Sequence, residues 1–202
     1  MSAGVRPELI LASASPRRSE LLARVGLPFA VQASGFEEEE VERLSEREAG
    51  PFVEKLARCK AQEVARRSSG QALVLGADTL VWLEGEVLSK PRDEEEAVAI
   101  LSRLAGREHR VYTGVALVRS DEVLATLHEI TRVTFHPLTA GQIRAYVASG
   151  EPMDKAGAYG AQGLGSLLIE RIEGDYFNVV GLPVSRVYRL LKEHGLDCLE
   201  GR

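Results

Sequence analysis

The sequence predicts an α/β fold built on a mixed sheet. Short apolar runs that suit buried strands alternate with segments of helical periodicity. Two longer segments, 111–117 and 124–135, flank a short polar turn and predict an antiparallel pair of strands in the middle of the chain. The chain has 202 residues, of which 45% are hydrophobic and 27% charged, and we treat residues 1–202 as a single folding unit.

The N-terminal part predicts a strand followed by a helix. Residues 9–12 form an apolar run typical of a buried strand. Ser15 suits the N-cap of the next helix, Pro16 suits its first position, and Gly26 suits the residue after its end. The segments that follow are a strand at 29–32, an acidic loop at 36–48 and a long helix at 51–67.

The middle of the chain continues the alternation. Residues 72–75 predict a buried strand that closes at the turn-like sequence 76–79. Residues 80–88 predict a hairpin, and a capping box predicts a helix from 93 to about 104. The antiparallel pair described above follows this helix.

The C-terminal part contains a glycine-rich segment. Thr139 and Gln142 predict a capping box before a helix that ends near Gly150. Residues 153–166 include four glycines and predict a flexible or tightly turned loop rather than a helix. The remaining segments are a strand at 167–172, a turn at 174–175 and a terminal helix at 183–195.

Composition argues against several classes of protein. The formal net charge of −5 is unlike the basic surface of a general nucleic-acid-binding protein. No apolar run approaches the roughly 20 residues of a membrane span, and residues 1–7 lack the apolar core of a signal peptide. Cys59 and Cys198 lie far apart and do not resemble a disulfide framework, which suggests a reducing compartment. We therefore expect a cytoplasmic protein with no nucleic-acid or membrane partner.

Common nucleotide-binding and hydrolase motifs are absent. The chain has no G-x-x-x-x-G-K-[ST], H-E-x-x-H or G-x-S-x-G sequence, and its glycine-rich segment lacks the G-x-G-x-x-G order. His109, His128, His136 and His194 show no spacing typical of metal ligands. Phosphate chemistry in this chain would need a different set of residues.

The sequence 13–18 suggests an anion site. If Ser15 caps the helix, Arg17 and Arg18 lie in its first turn, where the helix dipole is already positive. Two cations there cost about 0.3–1 kcal/mol each. A bound phosphate would offset that cost, because free N–H groups, hydroxyls and two guanidinium groups would converge on it. A solvated surface pair of arginines is the alternative.

Further charged residues suit the same chemistry. Lys60 and Lys90 are two of only five lysines in the chain. Asp78 lies just past the predicted end of the strand 72–75, and ligands of open α/β sheets bind outside the carboxyl ends of strands. A carboxylate there suits a metal ligand or a general base, although an ordinary turn aspartate is the alternative. The acidic run 37–40 offers a second carboxylate for a metal.

Taken together, these residues resemble the Maf family of nucleoside triphosphate pyrophosphatases. The matching segments follow the family's order along nearly the whole chain, and they are 11–18, 76–79, 89–91, 109–115, 154–163 and 178–183. The resemblance implies an elongated mixed sheet flanked by helices, with two lobes around a central cleft, related to inosine triphosphate pyrophosphatases. It also implies hydrolysis of a nucleoside triphosphate to the monophosphate and pyrophosphate, with Mg²⁺ or Mn²⁺ as cofactor, and it allows a homodimer.

The resemblance assigns roles to individual residues. Asp78 matches the family's proton-acceptor aspartate, and Glu38 and Asp78 match its metal-handling carboxylates. The phosphate-binding positions are matched by Ser13, Arg17, Arg18, Lys60 and Lys90. Arg17, Thr79 and Gln162 resemble the specificity residues of the branch that hydrolyses dTTP and UTP.

The expected function is therefore the house-cleaning of nucleotide pools by hydrolysis of dTTP, UTP and modified pyrimidine nucleotides. Gln162 carries both donor and acceptor atoms, which suits the O4/N3 edge of thymine or uracil. One alternative is a nucleotide-binding regulator of cell division in which catalysis is incidental. Another is an enzyme that acts on non-nucleotide polyphosphates.

Overall fold

The computed structural model describes residues 8–36 and 41–199. The strands are β1 (Leu9–Leu11), β2 (Ala30–Val31), β3 (Leu73–Leu83), β4 (Glu86–Leu88), β5 (Glu108–Arg119), β6 (Glu122–Phe135) and β7 (Ile169–Glu173). The helices are α1 (Pro16–Arg24), α2 (Glu46–Ala65), α3 (Glu94–Leu104), α4 (Ala140–Val147), α5 (Tyr176–Val180) and α6 (Val184–Glu193). Short 3₁₀ turns lie at Glu151–Asp154, Ala156–Ala158 and Gly163–Leu168.

The seven strands form one mixed sheet, which confirms the predicted fold class. The order is β2-β1-β3-β5-β6-β7, and β4 pairs with β3 outside this path. β1 is parallel to β2 and β3, whereas the pairs from β3 to β7 are antiparallel. The predicted pair at the centre is confirmed as β5 and β6, joined across a tight turn after Arg119.

Strand β3 is longer than the sequence predicts. The prediction ended the strand at Leu75, but the register with β5 continues from Val74 opposite Val118 to Trp82 opposite Arg110. The sequence suggested a turn at Gly76, but the structure needs a glycine there for a different reason. A Cβ at this position would come within 2.2 Å of the carbonyl oxygen of Ala57 in α2. This glycine marks the close approach of a helix to the strand.

Helix α2 begins earlier than the sequence predicts. The prediction placed its start at Pro51, but Pro51 lies inside the helix and the N-cap is Ser45. The carboxylate of Glu48 accepts a hydrogen bond from the backbone N–H of Ser45 at 2.9 Å, which satisfies a free donor at the helix start. The acidic stretch that suggested a loop therefore supplies the helix cap.

The C-terminal elements also differ in detail. The predicted turn at 174–175 starts α5, because the carboxylate of Asp175 accepts a hydrogen bond from Phe177 N at 2.8 Å. The predicted glycine loop holds the three 3₁₀ turns and no α-helix. This agrees with a tightly turned segment.

Two apolar clusters divide one face of the sheet into the two expected lobes. The first cluster lies under α1 and α6 and includes Leu75 and Leu182. The second cluster lies under α3 and α4 and includes Val81 and Phe135. Helix α2 covers the opposite face and packs against Val74. None of the helices in the described part of the chain combines the length and apolarity needed to cross a membrane.

Candidate active site

A cleft of about 360 Å³ opens between the two apolar clusters. It lies beside a stretch of β3 that has a neighbour on one side only. β1 ends at Leu11, opposite Leu75, and β4 begins to pair at Val81. Between these points, within the described part of the chain, residues 76–80 of β3 pair only with β5. Side chains from both faces of β3 can therefore reach one cavity at the carboxyl end of β1.

Most of the predicted site residues line this cleft. They are Arg17, Arg18, Lys60, Asp78, Thr79, Lys90 and Gln162. Ser13 is buried but does not line the cleft. Glu38, the other predicted metal ligand, lies outside the described residues.

Asp78 is a buried carboxylate in the middle of a strand. The prediction that it follows the end of a strand is wrong, because β3 continues to Leu83. Its Oδ1 accepts a hydrogen bond from Lys60 Nζ at 2.5 Å, and the two side chains are only 9% and 12% exposed. Lys60 comes from α2, so this ion pair joins the helix to the sheet beside the cleft.

Arg18 is held by three separate acceptors. Its Nη1 donates to Ser13 Oγ at 3.0 Å, its Nη2 donates to Thr79 Oγ1 at 3.0 Å, and its Nε donates to the carbonyl oxygen of Gly181 at 2.8 Å. Ser13 Oγ also accepts from the backbone N–H of Ser15 at 3.2 Å. Ser13 therefore acts on the cleft through Arg18 in this arrangement.

A chain of hydroxyl groups continues from Arg18 into the sheet. Thr113 Oγ1 donates to the carbonyl oxygen of Asn178 at 3.0 Å. Since that bond uses the only hydroxyl hydrogen of Thr113, the 2.9 Å contact between Thr79 and Thr113 has Thr79 as the donor. Thr79 thus donates its only hydroxyl hydrogen to Thr113, and toward a ligand it can act only as an acceptor through its remaining lone pair.

Arg17 is held across the cleft by a carboxylate. Its Nη1 donates to Asp154 Oδ2 at 2.7 Å, and Lys155 Nζ donates to Asp154 Oδ1 at 2.6 Å. Partial burial raises the pKa of Asp154, but the hydrogen bonds from Lys155 and Arg17 outweigh it and lower the pKa to about 2. Asp154 is therefore ionised at neutral pH.

The sequence predictions gave no site role to several polar residues of the cleft wall, among them Glu20, Glu151, Asp154, Lys155 and Tyr159. Signals for three of them were present, because Asp154, Lys155 and Tyr159 lie in the matching segment 154–163, and Lys155 is one of the five lysines. Glu151 gave no such signal, since the backbone groups that its carboxylate binds lie 13 and 14 residues further along the chain.

The donor groups suit a divalent metal shared with a phosphate ligand. Mg²⁺ in phosphate-processing sites typically takes one or two protein carboxylates and completes its shell with phosphate oxygens and water. Asp78, which lines the cleft with Lys60 and Arg18, could supply one such carboxylate. Within residues 8–36 and 41–199, no three His, Cys, Asp or Glu side chains group in a way that could hold a metal ion by themselves.

Comparison with known proteins gives concordant matches. A family model described as Maf-like protein matches residues 8–194. A dTTP/UTP pyrophosphatase of Symbiobacterium thermophilum is 54% identical over 96% of this chain and 97% of its own length. A second dTTP/UTP pyrophosphatase, from Moorella thermoacetica, is 54% identical over 94% of this chain and 96% of its own length. In fold, the chain is similar to a HAM1 protein from Coxiella burnetii, with a TM-score of 0.51 and 16% identity over 93% of this chain and 99% of that one.

Proposed function

The chain belongs to the Maf-like protein family, and we propose that it hydrolyses dTTP and UTP to the nucleoside monophosphate and pyrophosphate. Removal of these nucleotides and of modified pyrimidine analogues would serve the house-cleaning of nucleotide pools. The observation that carries the proposal is the buried pair of Asp78 and Lys60 beside Arg17, Arg18 and Lys90 in one cleft. Relatives at 54% identity that bear the name dTTP/UTP pyrophosphatase support the choice of substrate.

The cations would bind the triphosphate. The substrate carries about four negative charges, and hydrogen bonds to charged groups contribute about 1.5–3 kcal/mol each. Arg17 and Arg18 lie in the first turn of α1, where backbone N–H groups also attract anions. Lys60 and Lys90 approach from α2 and from the segment after β4. These groups would stabilise the charge that develops on the α-phosphate and on the pyrophosphate leaving group.

Asp78 would act as the general base for the attacking water. In the proposal its carboxylate accepts the proton of the water that attacks the α-phosphorus, and Lys60 keeps that carboxylate oriented. Asp78 would also hold a divalent cation. A bound Mg²⁺ or Mn²⁺ would polarise the phosphate and lower the pKa of a coordinated water. Glu38 stays a prediction as a second carboxylate.

Recognition of the base would fall to the glycine-rich segment. Gln162 lines the cleft at the start of the 3₁₀ turn Gly163–Leu168, and its amide can both donate and accept. Thymine and uracil present an acceptor beside a donor, whereas cytosine presents the opposite pattern at position 4. An amide held in one orientation complements one of these patterns and not the other, and the names of the relatives favour thymine and uracil. We therefore expect UTP and dTTP to be preferred over CTP, with Arg17 assisting.

The decisive experiment replaces the carboxylate. Asp78→Asn keeps the size of the side chain and an oxygen that can accept from Lys60, but it removes the negative charge. We expect turnover of UTP to fall by about 10³-fold or more, because proton transfer and metal binding are lost together. The measurement is pyrophosphate release with Mg²⁺ from dTTP, UTP, CTP and 7-methyl-GTP.

A matched variant and a fold check complete this experiment. Asp197→Asn removes a carboxylate that is paired with Lys192 and does not line the cleft, so its activity should equal wild type. Circular dichroism tests whether both variants remain folded. Wild-type rates in folded Asp78→Asn would contradict the proposed role. Absence of pyrophosphate release from every nucleotide by the wild-type protein would contradict the proposed function and favour the regulator.

A cytoplasmic location remains part of the proposal. It is supported by Cys59 and Cys198, which are both free thiols. The homodimer stays a prediction.

A further inference from the structure

We infer that the 3₁₀ turn Glu151–Asp154 positions two of the three side chains that would select the nucleotide, Gln162 and Arg17. Glu151 fixes the backbone of the segment that carries Gln162, and Asp154 fixes the guanidinium group of Arg17. Both are positioning residues, since they act through Gln162 and Arg17. The inference rests on the proposed function, and it gives a role to two residues, Glu151 and Asp154, that the sequence predictions left without one.

Glu151 holds the glycine-rich segment through a side-chain carboxylate. Its Oε2 accepts a hydrogen bond from the backbone N–H of Leu164 at 2.9 Å, and its Oε1 accepts from the backbone N–H of Gly165 at 3.0 Å. Oε1 also accepts from the hydroxyl of Tyr146 at 3.0 Å. The two backbone donors lie two and three residues after Gln162, so the carboxylate limits where that side chain can sit.

The same hydroxyl holds the other side of Gln162. The backbone N–H of Gly160 donates to the oxygen of Tyr146 at 3.2 Å. Gln162 is therefore flanked by a fixed residue two positions before it and by fixed residues two and three positions after it. Tyr146 and Glu151 form a clamp on the segment 160–165, and we call this pair the loop clamp.

Two glycines show how closely the segment packs on the loop clamp. A Cβ at Gly165 would come within 2.1 Å of the carbonyl oxygen of Gly160 and 2.7 Å of the Tyr146 oxygen. A Cβ at Gly163 would come within 2.7 Å of Glu151 Oε2, and this residue has a φ of +64°. The glycine pattern that the sequence presented as a loop signal thus creates space for the carboxylate and the phenol.

Asp154 connects the same turn to Arg17, another of the residues predicted to select the nucleotide. Arg17 donates through Nη1 to the carboxylate of Asp154 at 2.7 Å and through Nη2 to the carbonyl oxygen of the same residue at 3.4 Å. Lys155 braces the turn from within, because its Nζ donates to the carbonyl oxygen of Glu151 at 2.5 Å and to Asp154 Oδ1 at 2.6 Å. One short turn therefore holds both Arg17 of α1 and the segment that carries Gln162.

Because this arrangement fixes groups that would contact the base, it should affect the choice between nucleotides more than the hydrolysis step itself. A site that hydrogen-bonds a substrate group discriminates strongly only while its own polar groups stay in register with that group. A displacement of about 1 Å can cost as much as a hundredfold in rate. Loss of the clamp should therefore reduce the reaction of the nucleotide that fits Gln162 and affect a poorly fitting nucleotide much less.

The test substitutes the clamp and compares nucleotides. Glu151→Gln replaces one carboxylate oxygen by an N–H₂ group, which cannot accept from a backbone N–H. We expect kcat/KM for UTP and dTTP to fall by about ten- to a hundredfold, and kcat/KM for CTP by no more than about twofold. The UTP-to-CTP preference then drops by about tenfold or more. Asp154→Asn should also lower this preference, because an amide binds the guanidinium group of Arg17 less strongly than a carboxylate. Since Arg17 would bind the triphosphate as well, we expect a smaller fall of kcat/KM for CTP in this variant too.

A second variant guards against a failure to fold. Tyr146→Phe removes only a hydroxyl and keeps the ring, so it deletes two hydrogen bonds of the clamp without opening a cavity. It should also reduce the preference for UTP. If Glu151→Gln does not fold, Tyr146→Phe and Asp154→Asn decide the question.

The matched control is Asp197→Asn. Asp197 Oδ1 accepts from the hydroxyl of Tyr188 at 2.9 Å and from the backbone N–H of Leu199 at 2.8 Å, so it copies the contacts of Glu151 away from the cleft. Its UTP-to-CTP preference should equal wild type even if its melting temperature falls. An unchanged preference in the folded clamp variants, or an equal loss for all nucleotides, would overturn the inference. Absence of turnover in the wild-type protein would instead contradict the proposed function.

Discussion

At the scale of single residues, hydrogen bonds within the protein hold the charged groups of the cleft in position. Arg18 is directed by Ser13, Thr79 and the backbone of Gly181, and Asp78 is directed by Lys60. Groups that are held in this way need little reorganisation when charge develops on a substrate, which is the main source of electrostatic stabilisation in enzymes. The geometry of Arg18 requires a planar group with several donors, and a lysine offers only a point charge on a flexible stem.

Arg18→Lys should therefore lower activity although it conserves the charge. An ammonium group cannot reach three acceptors on different sides, so we expect kcat/KM for UTP to fall by about ten- to a hundredfold. Steady-state kinetics with Mg²⁺ measures this loss. Arg24→Lys is the matched control, because Arg24 is exposed in the same helix. Equal kinetics in the two variants would show that charge alone is required at position 18.

The sequence indicated which residues are polar and charged at the site, but it could not show how they are connected. Arg17 and Arg18 stood out because cations are unfavourable at a helix N-terminus. Ser13 stays a predicted phosphate-binding residue, and the structure adds that its Oγ accepts a hydrogen bond from Arg18. Glu151 gave no signal, since its contacts depend on the path of a glycine-rich segment far along the chain. Roles that act through a second residue depend on tertiary structure.

At the scale of elements, the site depends on how closely α2 lies on the sheet. Gly114 is opposite Asp78 in the register of β3 and β5, and a Cβ there would come within 2.3 Å of the backbone of Val53 in α2. This close contact lets Lys60 of the same helix reach Asp78 at 2.5 Å. Glycine in a strand has two possible meanings, a break or a close approach, and the sequence alone favoured a break after Leu75.

Gly114→Ala tests the contact between helix and sheet. The added methyl group forces α2 away from β5, and overpacking of this kind costs about 1–3 kcal/mol of unfolding free energy. Activity should fall as well, because Lys60 moves away from Asp78. Urea unfolding and UTP hydrolysis measure the two effects.

Gly141→Ala serves as the control for this substitution. Gly141 lies in α4, and the nearest atom to a Cβ there would be 3.9 Å away. We expect it to be neutral or to stabilise the protein by up to about 1 kcal/mol, since alanine favours a helix more than glycine does. Equal stability of the two variants would show that the sheet accommodates a methyl group at position 114.

At the scale of the whole molecule, the cleft is supported by an apolar lobe that contains a buried histidine. His109 and Phe135 form edge-to-face contacts with each other and with Tyr159, which lines the cleft. His109 Nε2 also lies 2.8 Å from the Tyr159 oxygen. Burial lowers the pKa of His109 to about 3, so the folded protein keeps the ring neutral. The resemblance to the Maf family implied two lobes, but the spacing of the histidines did not reveal that one of them is buried.

The neutral histidine should make the stability of the whole protein depend on pH. In the unfolded chain a histidine has a pKa of about 6.5, so between about pH 3 and 6.5 the unfolded state binds one more proton than the folded state. The free energy of unfolding must then fall as the pH decreases from about 6.5, by up to about 1.4 kcal/mol per pH unit from this residue. Urea unfolding of wild type and His109→Gln at about pH 5 and pH 7 measures the effect. His109→Gln should lose that part of the dependence, whereas His136→Gln should keep it because His136 is exposed. An identical fall between the two pH values in wild type and His109→Gln would assign the acid sensitivity to other groups.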